Sequence, residues 1–200
     1  MRISKSGWMK SSPKNEDISY MRFTILPPEG IDADGRRINI GASAEDITAV
    51  LGQPADILND DSGLTRYYYF DNELRFDLDS NGRLSFVEFI GGTEGKLKPE
   101  IYGINAFEAG ADELLSLLTE NDIGAITEDG GYSYYFPNIR IGMTRHATPE
   151  AIAEMKAEYQ ADGEEVSPEI LAFEQKRAAH WAMIGIGQSE YYRKKQRHYR

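Results

Sequence analysis

The residues whose spacing most resembles a chemical site begin at Asp77. Asp77, Asp79, Asn81 and Gly82 occupy the first, third, fifth and sixth positions of a pattern that ends, at its twelfth position, with Glu88. This is the pattern of an EF-hand calcium loop, in which alternate side chains turn toward the ion. The glycine allows the sharp bend, and the last glutamate binds through both of its oxygens. The spacing therefore raises the hypothesis of a calcium site.

The elements around this pattern favour a different interpretation. An EF-hand needs a helix on each side of its loop, whereas residues 73–78 alternate apolar and polar side chains as a strand does. On the other side, Gly91-Gly92 would end a helix within a few residues. Asp79-Ser80-Asn81-Gly82 also suits a hairpin turn, because Asn and Gly tolerate positive φ. We predict a β-hairpin here and keep calcium binding as the alternative.

No other set of residues forms a recognisable catalytic pattern. The histidines His146, His180 and His198 are interpreted as surface or packed residues, and Gly185-Ile186-Gly187 as a helix stop rather than a phosphate loop. The chain has no cysteine, which excludes disulfides, thiolate catalysis and cysteine zinc sites. We therefore predict that the protein is not an enzyme and uses no cofactor. An enzyme with a carboxylate or His146 in a cleft is the remaining alternative.

Charge and composition narrow the class of partner. The 200 residues include 33 acidic and 22 basic side chains, which gives a formal net charge of −11. Such a surface repels nucleic-acid phosphates and attracts basic proteins, so we expect no nucleic-acid ligand. No apolar run reaches the length of a signal-peptide core or the roughly 20 residues of a membrane span. We therefore expect a cytoplasmic protein that does not enter a membrane.

The elements that must position these residues can be predicted from local patterns. A strand is predicted at 20–26, followed by a short helix that Ser43 caps and that Gly52 and Pro54 end. Strands at 64–70, 73–78 and 84–90 would then form an antiparallel meander. After a Gly- and Lys-rich linker the order recurs, with a strand at 101–104, a helix at 111–118 and strands at 132–136 and 139–143. We interpret this recurrence as an internal duplication, because residues 68–76 align with 134–141.

The fold class that follows is α+β, with two tandem helix-then-antiparallel-strand units followed by C-terminal helices. Thr148-Pro149 and Ser167-Pro168 each predict the start of one of those helices, the second running to about Met183. The predicted organisation is a flexible arm at 1–20 with Trp8 as an anchor, a first unit at 21–98, a second at 99–145, helices at 146–190 and a basic tail at 191–200.

Two acidic loops beside tyrosine-rich strands are the candidate binding surface. One lies next to the predicted strand at 64–70 and the other next to the strand at 132–136, so equivalent positions in the two units would form one concave face. Tyrosine beside acidic residues is good interface material, because tyrosine gives a large contact area at low entropic cost. Polar turns with structural tyrosines are the alternative. The predicted contacts are Asp60, Asp61, Tyr67, Tyr69, Glu128 and Asp129.

A resemblance to known proteins rests on segments of both units. They are Ile40–Ile47, Leu51–Pro54, Tyr67–Phe70, Leu74–Phe76 and Gly82–Leu84 in the first unit, and Gly103–Phe107 and Tyr132–Ile141 in the second. Together they resemble bacterial helix–strand repeat proteins, which include β-lactamase-inhibitor-like modules and immunity proteins of contact-dependent and polymorphic toxin systems. The resemblance implies a cytosolic protein that neutralises a cognate toxin domain by covering its active site. It also implies an acidic surface, since many such toxins are basic nucleases.

Overall fold

The computed structural model describes residues 21–61, 63–124 and 126–189. The predicted arm at 1–20, with Trp8, and the predicted basic tail at 191–200 lie outside the described residues. In chain order the strands are β1 (Phe23–Leu26), β2 (Gly30–Ala33), β3 (Arg36–Asn39), β4 (Asp56–Asn59), β5 (Thr65–Tyr69), β6 (Leu74–Leu78), β7 (Leu84–Phe89), β8 (Glu100–Ile101), β9 (Ile104–Asn105), β10 (Thr127–Asp129), β11 (Ser133–Phe136), β12 (Ile141–Thr144) and β13 (Met183–Gly187). The helices are α1 (Ala44–Leu51), α2 (Ala111–Asn121), α3 (Pro149–Ala161) and α4 (Pro168–Ala178).

The residues that the structure describes form two sheets, a smaller one of five strands and a larger one of eight. The smaller sheet has five strands in the order β3-β2-β1-β8-β9, with a parallel pair between β1 and β8. The larger sheet has eight strands in the order β10-β11-β12-β13-β7-β6-β5-β4, and every neighbouring pair is antiparallel. One half of the larger sheet consists of β4 to β7 and the other half of β10 to β13. The halves meet where β7 pairs with β13.

The predicted architecture of two tandem helix-then-antiparallel-strand units followed by C-terminal helices is wrong. The strands assigned to separate units belong to one sheet, which makes this a sheet-rich α+β fold. The helices α3 and α4 are not terminal either, because the chain returns after them as β13, between β7 and β12. Residues 183–187, expected to close the last helix and then stop it, form that central strand instead.

Local capping signals set the starts of α1, α3 and α4 as predicted. At α1 the Ser43 hydroxyl accepts a hydrogen bond from the Asp46 amide at 3.2 Å, and the Asp46 carboxylate accepts one from the Ser43 amide at 2.9 Å. This reciprocal pair satisfies two amides that have no partner within the helix. At α3 and α4 the cap is a single bond: the hydroxyls of Thr148 and Ser167 accept from the amides of Ala151 and Ile170, and a proline follows each cap in the first turn.

The main hydrophobic core lies on one face of the larger sheet. It joins that face to the smaller sheet and to helices α1 and α2, and its fully buried members include Phe76, Val87, Ile184, Ile31 and Leu114. Alternate residues of β6, Leu74, Phe76 and Leu78, point inward as the sequence predicts, because successive side chains of a strand face opposite sides of the sheet. The other face of the larger sheet stands outside this core.

Trp181 packs the segment that follows α4 against α2 and β11. Its indole nitrogen donates to the carbonyl of Ala111 at 2.9 Å, and its ring meets the Tyr134 ring edge-on at 5.7 Å between centroids. The Arg145 guanidinium lies 5.2 Å from the Trp181 ring centre and donates to the carbonyls of Gly131 and Ala178. Trp181 was predicted to line a helix, but it follows the helix and leads into β13.

The helices α3 and α4 form a hairpin with a small hydrophobic cluster of their own. Ala147, Ile152 and Ala178 are buried in it, with Met155 and Leu171 packed against them. Both helices are otherwise largely exposed to solvent. None of the helices in the described part of the chain combines the length and the apolar character that a membrane span requires.

Candidate protein-binding surface

The side chains that point away from the main core form what we call the outer face of the larger sheet. Strand register places eight of them in one row across all eight strands. A second, shorter row lies beside it on the same face, because strand side chains alternate with a period of two. The first row is Asp56, Tyr68, Arg75, Glu88, Gly185, Gly142, Tyr135 and Thr127, and the second is Leu58, Arg66, Asp77, Phe86 and Gly187.

An ion-pair network holds the outer face together at β5, β6 and β7. Asp77 is fully buried and lies 2.9 Å from the Nε atom of Arg75 and 3.8 Å from the Nε atom of Arg66. Arg75 also reaches the Glu88 carboxylate at 3.0 Å, and Arg66 reaches Asp60 at 3.4 Å. Buried charges persist in proteins when they are paired in this way. The network therefore serves the structure of the sheet.

The centre of the outer face depends on glycine. A Cβ atom at Gly187 would lie 2.6 Å from the Phe86 ring, and one at Gly185 would lie closer still. The Phe86 ring thus covers two positions of β13 that cannot carry a side chain, and the Arg75 guanidinium stands 5.6 Å from the ring centre. This packing explains why a strand in the centre of the sheet contains two glycines, which weaken strands elsewhere.

An exposed apolar surface lies where β4 and β5 meet at the edge of the sheet. We define the β4–β5 corner as Ile57, Leu58, Asp60, Asp61 and Tyr67. Ile57 and Leu58 are 51% and 55% exposed, and they point to opposite faces of the sheet. Ile57 is paired with Tyr67, and Asp60 and Asp61 begin the turn that follows β4. Three of the predicted contacts are therefore brought together beside an apolar pair.

The predicted contact Tyr69 lies elsewhere and is a correction. Its side chain is only 3% exposed and packs in the main core against Phe70 and Phe76. The hydroxyl donates to the carbonyl of Gly52 at 3.2 Å, and burial raises the pKa of the Tyr69 phenol. Tyr69 lies two residues from Tyr67 on the same face of β5, and this face packs against the main core, where Tyr69 is buried and Tyr67 only partly so. It stabilises the fold and is not available as a surface contact.

The predicted contacts Glu128 and Asp129 are exposed, but they lie at the opposite edge of the sheet on β10. Seven strand spacings separate β4 from β10, which corresponds to about 34 Å at about 4.8 Å for each spacing. Because the two strands are also antiparallel to each other, the turns that follow them lie at opposite ends of the sheet. The two acidic loops therefore do not form one concave surface, contrary to the prediction from sequence.

The calcium-loop pattern forms the predicted hairpin. Asp79 accepts hydrogen bonds from the amides of Asn81 and Arg83, at 2.9 and 3.0 Å, and Gly82 has a φ of 69°. The other two carboxylates of the pattern, Asp77 and Glu88, bind Arg75 on the outer face. The four predicted ligands Asp77, Asp79, Asn81 and Glu88 thus do not converge. Within residues 21–61, 63–124 and 126–189, no group of three or more histidine, cysteine or acidic side chains is arranged to hold a metal ion.

Calcium should accordingly leave the protein unchanged. Binding at this pattern would have to separate Asp77 and Glu88 from Arg75 and undo the turn at Asp79, so we expect no heat of binding in calorimetry. At about 5 mM calcium, which is about 500 times the Kd of a weak sensor loop, the melting temperature should rise by less than about 1 °C. Magnesium at the same ionic strength is the control, and a calcium-specific rise of several degrees would contradict this account.

Several residues of the surface were not recognised in the sequence. Strand β4 was not predicted, because Asp56-Ile57-Leu58-Asn59 places two apolar residues side by side and shows no alternation. The alternation in the sequence placed Arg75 and Asp77 on the polar side of their strand, which is the outer face. Their ion pairs could not be predicted, because they depend on how β5 and β7 are aligned with β6.

Comparison with known proteins gives only weak similarities. No family model and no curated protein matches this chain. A crystal structure of a DUF4309 family protein (YjgB) from Bacillus subtilis subsp. subtilis str. 168 is 14% identical with a TM-score of 0.39, covering 80% of this chain and 88% of that one. An extracellular protein containing an SCP domain from Bacillus anthracis str. Ames is 9% identical with a TM-score of 0.41. The match covers 86% of this chain, which spans about half (52%) of that protein, and neither likeness is strong enough to indicate a function.

Proposed function

We propose that the protein is a protein-binding inhibitor of the immunity type, which covers a basic region of a cognate bacterial toxin and needs no cofactor. The observation that supports this proposal is the β4–β5 corner, where the exposed side chains of Ile57, Leu58 and Asp61 lie beside the half-buried side chains of Tyr67 and Asp60. An inhibitor of this type would act in the cytoplasm of the cell that it protects.

The chemistry of the corner suits a protein partner. Protein interfaces combine an apolar and aromatic centre with a polar rim. Ile57 and Tyr67 would form such a centre on one face of the sheet, with Leu58 on the other face and Asp60 and Asp61 as the rim. The net charge of −11 would speed the encounter with a cationic surface without contributing much to the final affinity.

The corner is also held in place before a partner arrives. One oxygen of the Asp60 carboxylate accepts a hydrogen bond from the Leu64 amide at 3.0 Å, and the other pairs with Arg66 at 3.4 Å. These contacts fix the turn between β4 and β5, and β5 is in turn paired along its length with β6. A surface that is ordered in advance loses less entropy on binding, which favours stoichiometric inhibition.

The test begins with capture of the partner from the source cell, followed by kinetics with the purified pair. Reversing the charge of Asp61, an exposed residue in the turn, should slow association about tenfold at low salt, because rim charges act mainly on the association rate. The expected result also includes loss of the partner's activity at a one-to-one ratio, since occlusion needs one inhibitor for each active site.

The matched control is Asp129→Lys, which makes the same change in net charge at the opposite edge of the sheet. Equal slowing by Asp61→Lys and Asp129→Lys would mean that only the total charge matters and would contradict a site at the corner. A captured partner that keeps full activity when saturated with the protein would contradict the inhibitory function.

A further inference from the structure

We infer that β4 receives an extended cationic segment of the partner, which adds to the larger sheet as a ninth strand. The inference rests on the proposed function for the identity of the partner, and it specifies the mode of binding: pairing of main chains at the edge of the sheet. Strand addition of this kind supplies affinity through backbone hydrogen bonds and specificity through alternate side chains.

The main chain of β4 provides the first part of the argument. The Asp60 amide donates to the Leu64 carbonyl at 3.0 Å, so the backbone amide and carbonyl of Asp60 point toward β5. By the two-residue alternation of an antiparallel ladder, Asp56 and Leu58 also face β5, whereas the amides and carbonyls of Ile57 and Asn59 face away from it. In the described part of the chain no strand pairs with that side of β4. Two donors and two acceptors are thus presented with the spacing of a strand.

The contrast with the other edge of the same sheet provides the second part. Natural edge strands are usually protected against pairing by charged side chains or proline. The opposite edge, β10, is protected in this way, because two of its three residues are Glu128 and Asp129. The centre of β4 instead carries Ile57 and Leu58, which are both more than half exposed. The apolar, unprotected edge is the one that the acidic corner adjoins.

Charge identifies the kind of segment that fits. The apolar pair is flanked by three carboxylates, those of Asp56, Asp60 and Asp61. The nearby cation, Arg66, lies opposite Leu58 and is paired with Asp60 and Asp77. A second copy of this chain would be repelled, because antiparallel pairing of Leu58 with its own copy sets Asp56 against Asp60. The segment that fits has two apolar or β-branched residues, placed against Leu58 and Ile57, and a basic residue opposite each of Asp60 and Asp56.

This reasoning gives a probe peptide with the core Lys-Thr-Val-Ile-Lys. In antiparallel register its Val faces Leu58 and its Ile faces Ile57, while its lysines oppose Asp60 and Asp56. The amides of its Thr and Ile point toward β4, and the amide of its Val points away. A peptide with N-methyl groups on both Thr and Ile therefore cannot pair with β4. A peptide with an N-methyl group on Val is the control, because that methyl group points away from β4.

The experiment is a fluorescence anisotropy titration of the labelled peptides with the whole protein, up to millimolar concentration at low salt. We expect saturable binding that weakens at least about tenfold with methylated Thr and Ile, since two hydrogen bonds are lost, and stays within about twofold with methylated Val. The Ile57→Pro variant removes one amide of β4 that faces outward and should weaken binding about tenfold. If this variant fails to fold, the test is the comparison of the two methylated peptides in their binding to the unmodified protein.

The outcomes separate this inference from the proposed function. Absence of saturable binding, or equal weakening by both methylated peptides, overturns strand addition, and so does a dimer of the protein that forms through β4. A captured toxin partner that depends on Asp61 while the peptide fails to bind keeps the inhibitory function and overturns this mode. Peptide binding with the expected methylation pattern, together with partners that are never inhibited, supports the mode and overturns the function.

Discussion

Replacement of Trp181 by Ala should lower the free energy of unfolding by about 4 kcal/mol, the middle of the range for deleting a large buried aromatic side chain. Trp181 is 1% exposed, and its indole joins the carbonyl of Ala111 in α2 to the ring of Tyr134 in β11. The substitution removes the ring, its hydrogen bond and the surface on which Arg145 rests. The measurement is urea denaturation followed by circular dichroism, because the substitution removes one of the two tryptophans.

The Trp181→Phe variant separates the ring from its hydrogen bond. It keeps an aromatic surface under Arg145 but leaves the Ala111 carbonyl without its indole donor, so we expect a smaller loss, about 1–2 kcal/mol. Limited proteolysis should cut the α3–α4 hairpin of the Ala variant first, since Trp181 fastens the end of α4. A loss below about 1 kcal/mol for Trp181→Ala would mean that the site collapses without cost and would contradict the described packing.

Replacement of Arg75 by Met should cost about 3 kcal/mol, because it removes one cation from two carboxylates. Asp77 is fully buried beside Arg75, and Glu88 is largely buried on its other side. Removing one partner of a buried ion pair is strongly destabilising, since the charge that stays behind keeps the cost of its desolvation. Urea denaturation at neutral pH measures this loss. The m value, which is the slope of the unfolding free energy against urea concentration, should stay unchanged if only stability is affected.

Two companion variants test the cause. In Arg75→Met with Asp77→Leu, the buried charge is removed as well, and we expect recovery of at least about half of the loss. In Arg66→Met, the cation lost is about one third exposed and 3.8 Å from Asp77, so the loss should be at most about 1 kcal/mol. Equal losses for Arg75→Met and Arg66→Met would contradict the assignment of Arg75 as the main partner of Asp77.

The parts of the fold that follow from local chemistry were predictable from the sequence. Ser43, Thr148 and Ser167 identify helix starts because their side chains bond to the amides of the next turn, and all three do so. The alternation of Leu74, Phe76 and Leu78 identifies a strand because a sheet has one buried face. The turn at Asp79–Gly82 follows from residues that accept positive φ. Each of these signals is complete within a few residues.

The position of β13 could not be predicted in this way. Gly185 and Gly187 lower the propensity for a strand, and the reason for both is a phenylalanine on β7, about a hundred residues earlier. The same limit applies to the binding surface. Asp60 and Asp61 were recognised by composition, but their distance from Glu128 and Asp129 depends on the order of eight strands. Tyr67 and Tyr69 look equivalent in the sequence, and only burial separates them.

The central place of β13 also bears on how the chain acquires its structure during synthesis. Until residues 183–187 leave the ribosome, β7 and β12 each expose an unpaired side, and no strand yet joins the two halves of the larger sheet. Unpaired strand edges in a partly made chain are prone to aggregate. We therefore expect a nascent chain of this protein to be more exposed to aggregation than a protein whose strands pair in the order of their synthesis.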